Sequence, residues 1–262
     1  MHFENLELRE EDGLATITLN RPEAANAIDM EMARELMRAA IHCDQSADVR
    51  VVLLDAKGKL FCAGGDLKSF VDAGEALPAL LKELTTNLHG AISRLSRMQA
   101  PLVVAVQGPA AGAGMSLAVS GDLVLAGESA TFTSAYTAAG VSPDGSSTYF
   151  LPRLIGLRRT QELMLTNRRL SAAEALDWGL VTQVVSDAEL ADQARALAER
   201  LAAGPTRAFG SVKQLLHESF QGSLETQMER ESRGIAEMGA GLDGPEGIRA
   251  FTEKRKPEFQ GR

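Results

Sequence analysis

The chain has 262 residues, 45% of them hydrophobic, which suffices for one large domain, or a domain with a helical appendage, around a sizeable core. Its formal net charge is −8, and only 5% of its residues are aromatic. Proteins that bind nucleic acids use basic surfaces and often aromatic stacking, so this composition argues against a nucleic-acid partner. A polyanionic small molecule would need a local cluster of basic side chains.

The N-terminus and the two cysteines bear on the cellular compartment. Residues 1–5 lack the basic start and apolar run of a signal peptide, and no stretch approaches the roughly 18 apolar residues that cross a membrane. Cys43 and Cys62 show neither metal-ligand spacing nor a disulfide framework. The sequence therefore predicts a cytoplasmic protein with no membrane partner and no metal site.

The first 45 residues predict a hairpin followed by a helix. Apolar and polar residues alternate on both sides of the turn sequence Glu11-Asp12-Gly13, so residues 6–20 are expected to form two antiparallel strands. Apolar residues at helical spacing, among them Met32, Leu36 and Ile41, predict a helix over residues 29–45.

A unit of strand, glycine-rich loop and helix then occurs twice. Its strands are continuously apolar, as expected of strands buried on both faces, and the succession is typical of α/β folds that bind ligands at the ends of their strands. The first copy comprises Val49–Asp55, Phe61–Asp66 and a helix from Leu67, and the second comprises Leu102–Val106, Gly108–Gly114 and a helix from Met115 to about Ser120, with a further strand at Leu123–Ala126.

Beyond residue 157 the pattern is almost entirely helical. Ser171 and Glu174 form a capping box at the start of one helix, and Gly179 fits the end of that helix. A short strand is expected at Leu180–Val185. Further helices are predicted near residues 187–203, 206–219, 223–239 and 245–254.

The two glycine-rich loops admit a structural and a functional interpretation. Glycine lets a ligand approach the backbone closely, and the N–H groups at the start of a helix have no internal partner, so two adjacent loops could hold one developing negative oxygen. The spacing of Gly108, Gly112 and Gly114 is not that of a dinucleotide-binding loop, and the sequence contains no P-loop motif. Small residues that merely let a helix pack on a strand would give the same pattern, so spacing alone leaves both interpretations open.

Several segments together resemble the crotonase (enoyl-CoA hydratase/isomerase) superfamily. The order and spacing of the segments carry the resemblance, which runs over essentially the whole chain. They are Asn20-Arg21-Pro22 with Asn26-Ala27, Phe61–Leu67 (FCAGGDL), Pro101–Gly108, Pro109–Leu117 (PAAGAGMSL), Gly121–Ala126 (GDLVLA) and Phe251–Phe259 (FTEKRKPEF). The resemblance implies an α/β fold whose ββα units repeat in a spiral over residues 1–200, followed by a C-terminal helical trimerisation region over residues 201–262.

The resemblance also implies an acyl-CoA thioester as substrate. Backbone N–H groups of Gly65 and Ala113 would form an oxyanion hole for the thioester carbonyl, where one donor can be worth about 3 kcal/mol. The coenzyme A portion would contact Ala63, Gly65 and Ala113, together with the run Asp66-Leu67-Lys68. No separate cofactor is expected, because coenzyme A is part of the substrate.

The residues opposite the loops bear on the reaction. Hydratases of this family carry two glutamates, at the positions of Ser116 and Tyr136, and neither of these side chains is an effective acid or base at neutral pH. Asp144 lies between Pro143 and Gly145, and this Pro-Asp-Gly sequence favours a turn whether or not the aspartate is catalytic. It nevertheless matches the single catalytic carboxylate of enoyl-CoA isomerases similar to epoxyphenylacetyl-CoA isomerase. The resemblance therefore implies a double-bond shift with Asp144 as acid and base.

Other reactions stay open. Chlorobenzoyl-CoA dehalogenases belong to the same superfamily, and their aspartate nucleophile, histidine base and tryptophan fall on Asp144, His89 and Tyr136. Tyrosine replaces tryptophan here, and His89 would equally suit a partly exposed position on an ordinary helix. The alternatives are dehalogenation or thioester hydrolysis by Asp144 and His89, hydration, and acyl-CoA binding without catalysis.

A basic cluster near the C-terminus, Lys254-Arg255-Lys256, is the candidate site for the phosphates of coenzyme A. In relatives the C-terminal helix of a neighbouring subunit helps to bind the adenosine phosphate, and the subunits form trimers that often pair into hexamers. The resemblance thus implies a coenzyme A contact by Lys254 and a homotrimer or a dimer of trimers. A solvated basic tail would have the same sequence.

Overall fold

The structure is a computed structural model that describes residues 2–262, and its short strands alternate with helices along most of the chain. The strands of the described chain are β1 (Leu6–Glu11), β2 (Leu14–Leu19), β3 (Val51–Ala56), β4 (Leu102–Val106), β5 (Ala110–Ala111), β6 (Leu123–Gly127), β7 (Thr131–Thr133), β8 (Leu170–Ser171) and β9 (Gln183–Val185).

The α-helices include every helical segment that the sequence predicts, with some shifted boundaries and additional helices. They are α1 (Met30–Gln45), α2 (Leu67–Asp72), α3 (Leu77–Arg97), α4 (Ala113–Val119), α5 (Ser147–Leu154), α6 (Gly156–Thr166), α7 (Ala172–Trp178), α8 (Leu190–Ala202), α9 (Thr206–Glu218), α10 (Leu224–Ala240) and α11 (Asp243–Glu253). The capping box of Ser171 and Glu174 is present at the start of α7, and Gly179 ends that helix in the left-handed conformation.

One six-stranded sheet, in the order β1-β2-β3-β4-β6-β9, organises the fold. β1 and β2 form the predicted antiparallel hairpin, and each later neighbour in this sheet is parallel to the one before. A second, small sheet joins β5, β7 and β8. Because β3 and β4 are parallel, the two glycine-rich loops that follow them leave the same edge of the sheet.

Both faces of the main sheet are covered by helices. Val51 and Leu53 of β3 pack with Ala194 and Ala198 of α8 in one buried cluster. Residues between these on the strand, such as Leu54, belong to the larger cluster on the other face, which includes residues of α1 and α3. Successive side chains of a strand point to opposite faces, so burial of both faces explains the continuous apolar runs in the sequence.

The helix after the second glycine-rich loop begins at Ala113 rather than at the predicted Met115. Gly112 has a φ of 52°, which ends the loop, and its carbonyl already accepts the backbone N–H of Ser116 as the first helical hydrogen bond. Ala113 is therefore the first helical residue, and its own N–H group has no acceptor within the helix.

Two strands are shorter at their beginning than the sequence predicts. β3 starts at Val51 and not at Val49, because the backbone N–H groups of Arg50 and Val51 both bind the carbonyl of Gly13 in the hairpin turn. β9 starts at Gln183 and not at Leu180, because the backbone N–H groups of Leu180 and Val181 both bind the carbonyl of Ala175 at the end of α7.

Two of the last three helices, α9 and α10, differ in how closely they pack against the rest of the fold. α9 is fixed to the preceding structure by Lys213, whose ammonium group donates to the carbonyls of Leu95 and Ala100 and lies 2.7 Å from a carboxylate oxygen of Asp122. Burial lowers the pKa of Lys213, although the Asp122 carboxylate opposes this shift. α10 buries none of its residues in the described chain. The division of the chain at residue 200 remains a prediction.

Two absences hold for residues 2–262. No helix there is both long enough and apolar enough to span a membrane. Histidine, cysteine and acidic side chains do not gather anywhere in that range in groups of three or more that could hold a metal ion.

Candidate active site

The first glycine-rich loop presents the N–H group of Gly65 away from the chain. Gly65 forms a parallel bridge with Ile28, in which the carbonyl of Gly64 and the N–H of Asp66 make the hydrogen bonds. In a parallel bridge the N–H of the middle residue points to the opposite side. No acceptor for the Gly65 N–H occurs within the described residues.

The second loop lies directly against the first. Gly64 has a φ of 99°, and a Cβ atom there would lie 2.8 Å from the carbonyl oxygen of Ala111 and 3.4 Å from the backbone nitrogen of Ala113. Glycine is needed at this position both for its conformation and for the close approach of the two loops. The unpaired N–H groups of Gly65 and Ala113 thus belong to adjoining loops at one edge of the sheet.

Asp66 holds the first loop in its conformation. Its carboxylate caps α2 by accepting the backbone N–H groups of Lys68 and Ser69, and it binds the guanidinium of Arg21 at 2.7 Å. Burial alone would raise the pKa of Asp66, but these donors lower it on balance. The carboxylate is therefore occupied within the fold, whereas Ala63, Leu67 and Lys68 are exposed around the loop.

Tyr136 and Asp144 are joined on the segment that follows β7. The phenol of Tyr136 donates to Oδ1 of Asp144 at 2.5 Å. Burial raises the pKa of Tyr136 well above its usual value, and the nearby Asp144 carboxylate raises it further. Tyr136 is consequently a hydrogen-bond donor to Asp144 over the whole physiological range, and the carboxylate is oriented through one of its two oxygens.

Ser116 lies beneath this pair. It is fully buried on α4, one turn after Ala113. Its Oγ is 2.9 Å from the phenol oxygen of Tyr136 and 2.9 Å from the main-chain carbonyl oxygen of Asp144. Sequence reasoning identified Ser116 only as the place of a missing glutamate, since a single serine on an apolar helix gives no signal of such contacts.

His89 lies on α3 next to Asp144. Its Nε2 is 3.3 Å from Oδ2 of Asp144, and the backbone N–H of Gly145 donates to the same nitrogen at 3.1 Å. One nitrogen cannot accept from Gly145 and donate to Asp144 at the same time, so the ring tautomer decides which of these two hydrogen bonds is made. The two side chains remain accessible, with 49% of His89 and 23% of Asp144 exposed.

A crevice of about 300 Å³ opens beside His89, between α3, α5 and α9. This volume is at the lower limit of small-molecule sites. Gly145, Ser146 and Phe150 line it from the side of Asp144, and Ser93 and His217 are among its other walls. The histidine and the Asp144 turn therefore border open space as well as each other.

The basic cluster lies apart from these contacts. Lys254 ends α11 in the left-handed conformation, and it makes no hydrogen bond or ion pair with the loop residues within the described chain. Arg255 is bound by Glu246 and Glu253, and its hydrogen bond to Glu246 lowers the pKa of that carboxyl to about 2. Lys254 and Lys256 are thus the cations of this cluster that remain without a carboxylate partner in residues 2–262.

Known proteins that resemble the chain agree with this architecture. Residues 9–262 match the family described as Enoyl-CoA hydratase/isomerase. The chain is 38% identical to the 1,2-epoxyphenylacetyl-CoA isomerase of Escherichia coli (strain K12), over 96% of this chain and 97% of the relative. It is 34% identical to 4-chlorobenzoyl coenzyme A dehalogenase-2 of an Arthrobacter species, over 86% and 82% of the two chains.

A solved structure gives the same result. The crystal structure of an enoyl-CoA hydratase/isomerase from Mycobacterium abscessus matches with a TM-score of 0.93 and 37% identity, covering 98% of this chain and 100% of that one. The fold is therefore the crotonase fold, as predicted. The chain belongs to the enoyl-CoA hydratase/isomerase family and is an acyl-CoA enzyme of that family.

Proposed function

We propose that this protein is an enoyl-CoA isomerase in which Asp144 moves a proton between two carbons of the acyl group. The observation that carries the proposal is the single carboxylate of Asp144, oriented by Tyr136 at 2.5 Å, with serine rather than an acid at position 116. The similarity to an isomerase at 38% identity over nearly the full length supports the same reaction.

The proposed mechanism begins at the two loops. The N–H groups of Gly65 and Ala113 would bind the thioester oxygen and stabilise the negative charge that develops there. The carboxylate of Asp144 takes a proton from C2 of a 3-enoyl-CoA, and the electron pair delocalises over C2–C4 and the thioester oxygen. The protonated carboxyl returns the proton to C4, which gives the conjugated 2-enoyl-CoA. The shift is redox-neutral, so the proposal needs no cofactor besides the coenzyme A of the substrate.

One experiment tests this function directly. A 3-enoyl-CoA is supplied and the conjugated product is followed by its absorbance, for the protein and for Asp144→Asn. The variant keeps the size of the side chain and an oxygen for Tyr136 but cannot accept a substrate proton, so we expect kcat to fall by about 100-fold to 10,000-fold with KM little changed. Full activity in Asp144→Asn would refute the mechanism.

A second candidate is hydrolytic dehalogenation or thioester hydrolysis. The observation in its favour is the 3.3 Å approach of His89 Nε2 to Oδ2 of Asp144, which places an imidazole base beside a carboxylate nucleophile. Against it, the hydrogen bond from Tyr136 withdraws charge from the carboxylate and makes Asp144 a weaker nucleophile. Single turnover of a halogenated aryl-CoA in oxygen-18 water separates dehalogenation from isomerisation: the Asp144 carboxylate displaces halide to form an aryl ester, and hydrolysis of that ester places the label in the protein carboxylate.

Two further alternatives are decided by the same assays. Hydration would need a second acid or base, and Ser116 and Tyr136 are instead hydrogen-bonded to each other and to Asp144. Loss of absorbance with a 2-enoyl-CoA would reveal hydration. Tight binding of a panel of acyl-CoAs without turnover would indicate a binding protein.

We propose further that the chain forms a homotrimer or a dimer of trimers through its C-terminal helices. Exposed apolar side chains on α9, on α10 and in the connection between them, which include Leu216, Phe220, Met228 and Ile235, would then be buried between subunits. Lys254 of one subunit would contact the coenzyme A phosphates of another. Light scattering during size-exclusion chromatography tests the assembly, and Lys254→Ala tests the contact through the affinity for coenzyme A.

A further inference from the structure

We propose that Ser116 is a positioning residue that fixes the Asp144 carboxylate and restricts the site to one acid. The inference rests on the proposed role of Asp144 in proton transfer. Ser116 is buried on α4, and its Oγ contacts two different groups that control Asp144, namely its main-chain carbonyl and its partner Tyr136.

The donors and acceptors of this network follow from the groups present. The hydroxyl hydrogen of Tyr136 is committed to Oδ1 of Asp144 at 2.5 Å. A main-chain carbonyl can only accept, so the single hydroxyl hydrogen of Ser116 is shared among the carbonyl of Asp144, the phenol oxygen and the carbonyl of Gly112, which lies farther away at 3.3 Å. Ser116 thereby holds both the backbone of Asp144 and the group that orients its carboxylate. Such connected hydrogen bonds reinforce one another in a buried site.

The packing around Ser116 is as specific as its hydrogen bonds. Gly145 has a φ of 60°, and a Cβ atom there would lie 2.7 Å from Cβ of Ser116 and 3.6 Å from the end of the Ile92 side chain. The turn that carries Asp144 thus rests directly on Ser116. A glutamate at position 116 could enter only if this turn moved, so a second acid and the present position of Asp144 exclude each other.

The test compares two buried serines of the same region. Ser116→Ala removes the hydroxyl without adding volume, and we expect kcat for the isomerisation to fall about fivefold to tenfold while KM stays within twofold. Ser120→Ala is the matched control, because Ser120 is also buried and donates to the carbonyl of Leu117 at 2.7 Å without any contact to Asp144. The control should leave kcat unchanged.

A double-mutant cycle separates positioning from a general structural effect. If Ser116 acts through Asp144, Ser116→Ala should have no effect on the residual rate of Asp144→Asn. An equal fall of kcat in both backgrounds would overturn the proposal, and so would unchanged kcat in Ser116→Ala. Ser116→Glu should lose isomerisation and gain no hydration of a 2-enoyl-CoA, and a gain of hydration would overturn the packing argument.

A spectroscopic measurement keeps this test independent of the assigned reaction. The hydroxyl proton of Tyr136, in its 2.5 Å hydrogen bond, should give a downfield proton resonance that is lost in Tyr136→Phe. Ser116→Ala should shift this resonance and Ser120→Ala should not. If the unmodified protein isomerises no 3-enoyl-CoA, the proposed function fails, while the resonance still shows whether Ser116 positions Tyr136 and Asp144. An unshifted resonance in Ser116→Ala contradicts the positioning role.

Discussion

The two sides of the candidate site differ in the chemical groups they offer. The glycine-rich loops offer backbone N–H groups of Gly65 and Ala113, whereas the segment from Tyr136 to Ser147 offers side chains. Backbone donors persist whatever the side chains are, so the loops can serve many reactions of one kind of carbonyl. Relatives named as an isomerase and as a dehalogenase both match over most of the chain, which agrees with this division. Under the proposed mechanism, the choice of reaction would lie with Asp144 and its neighbours.

The largest loss of activity is expected when one of the backbone N–H donors is removed. Ala113→Pro removes one N–H group at the first position of α4, where proline fits a helix well. We expect kcat to fall by about 100-fold to 1,000-fold, because one oxyanion donor is lost from the transition state. The measurement is the isomerisation rate under saturating 3-enoyl-CoA. Retention of full kcat would show that the Ala113 N–H does not bind the reacting oxygen.

A matched proline controls for the fold. Ala172 is the first residue of α7, a helix of 7 residues like α4, and both alanines are buried. Ala172→Pro removes an equivalent N–H group far along the chain from the loops and should leave kcat unchanged. If both variants lose activity together with their circular dichroism, the loss reflects unfolding rather than catalysis.

A smaller effect is expected from the side-chain half of the site. Tyr136→Phe deletes the hydroxyl that orients Asp144 but leaves the ring and the carboxylate. We expect kcat to fall about tenfold, as for loss of one hydrogen bond to a charged group, with KM little changed. Tyr149→Phe is the control, since Tyr149 is the chain's other tyrosine and donates to the main-chain carbonyl of His217. Equal effects of the two variants would contradict the role of Tyr136.

The same division explains what the sequence could predict. Glycine spacing, apolar strands and caps are local signals, so the hairpin, both loops and most helices followed from them. The start of α4 was misplaced by two residues, because the pattern could not show that Gly112 ends the loop with a positive φ. The small sheet of β5, β7 and β8 was not predicted, since strands of 2 or 3 residues carry almost no periodic signal.

The side-chain half of the site was harder to predict from the sequence. Asp144, Tyr136 and His89 were identified by their positions in a resemblance, whereas their mutual contacts join parts of the chain up to 55 residues apart. Nothing local to α4 indicates that Ser116 contacts the Asp144 turn, and nothing local to Pro143-Asp144-Gly145 indicates that glycine is needed there for the packing on Ser116. Such contacts depend on tertiary packing, so only the structure could reveal them.

The smallest expected effect is a change in how the free energy of unfolding depends on pH. Burial raises the pKa of Tyr136, and the Asp144 carboxylate adds to the shift. Above about pH 10 the unfolded chain loses the Tyr136 proton while the folded chain keeps it, so the unfolded state binds fewer protons and the free energy of unfolding falls as pH rises. This one group contributes a slope of up to about 1.4 kcal/mol per pH unit. Below that range it has no influence on the pH dependence.

Urea unfolding at several pH values between about 9 and 11 measures this slope. Trp178, the one tryptophan of the chain, reports on unfolding by its fluorescence, because it packs against the guanidinium groups of Arg159 and Arg168 in the fold. The free energy of unfolding should fall more steeply with pH in the original protein than in Tyr136→Phe, and Tyr149→Phe should follow the original protein. Parallel curves for all three would mean that Tyr136 ionises alike in the folded and unfolded chains. The 2.5 Å hydrogen bond would then not hold the phenol in its protonated form, and the side-chain half of the site would be less rigid than its geometry implies.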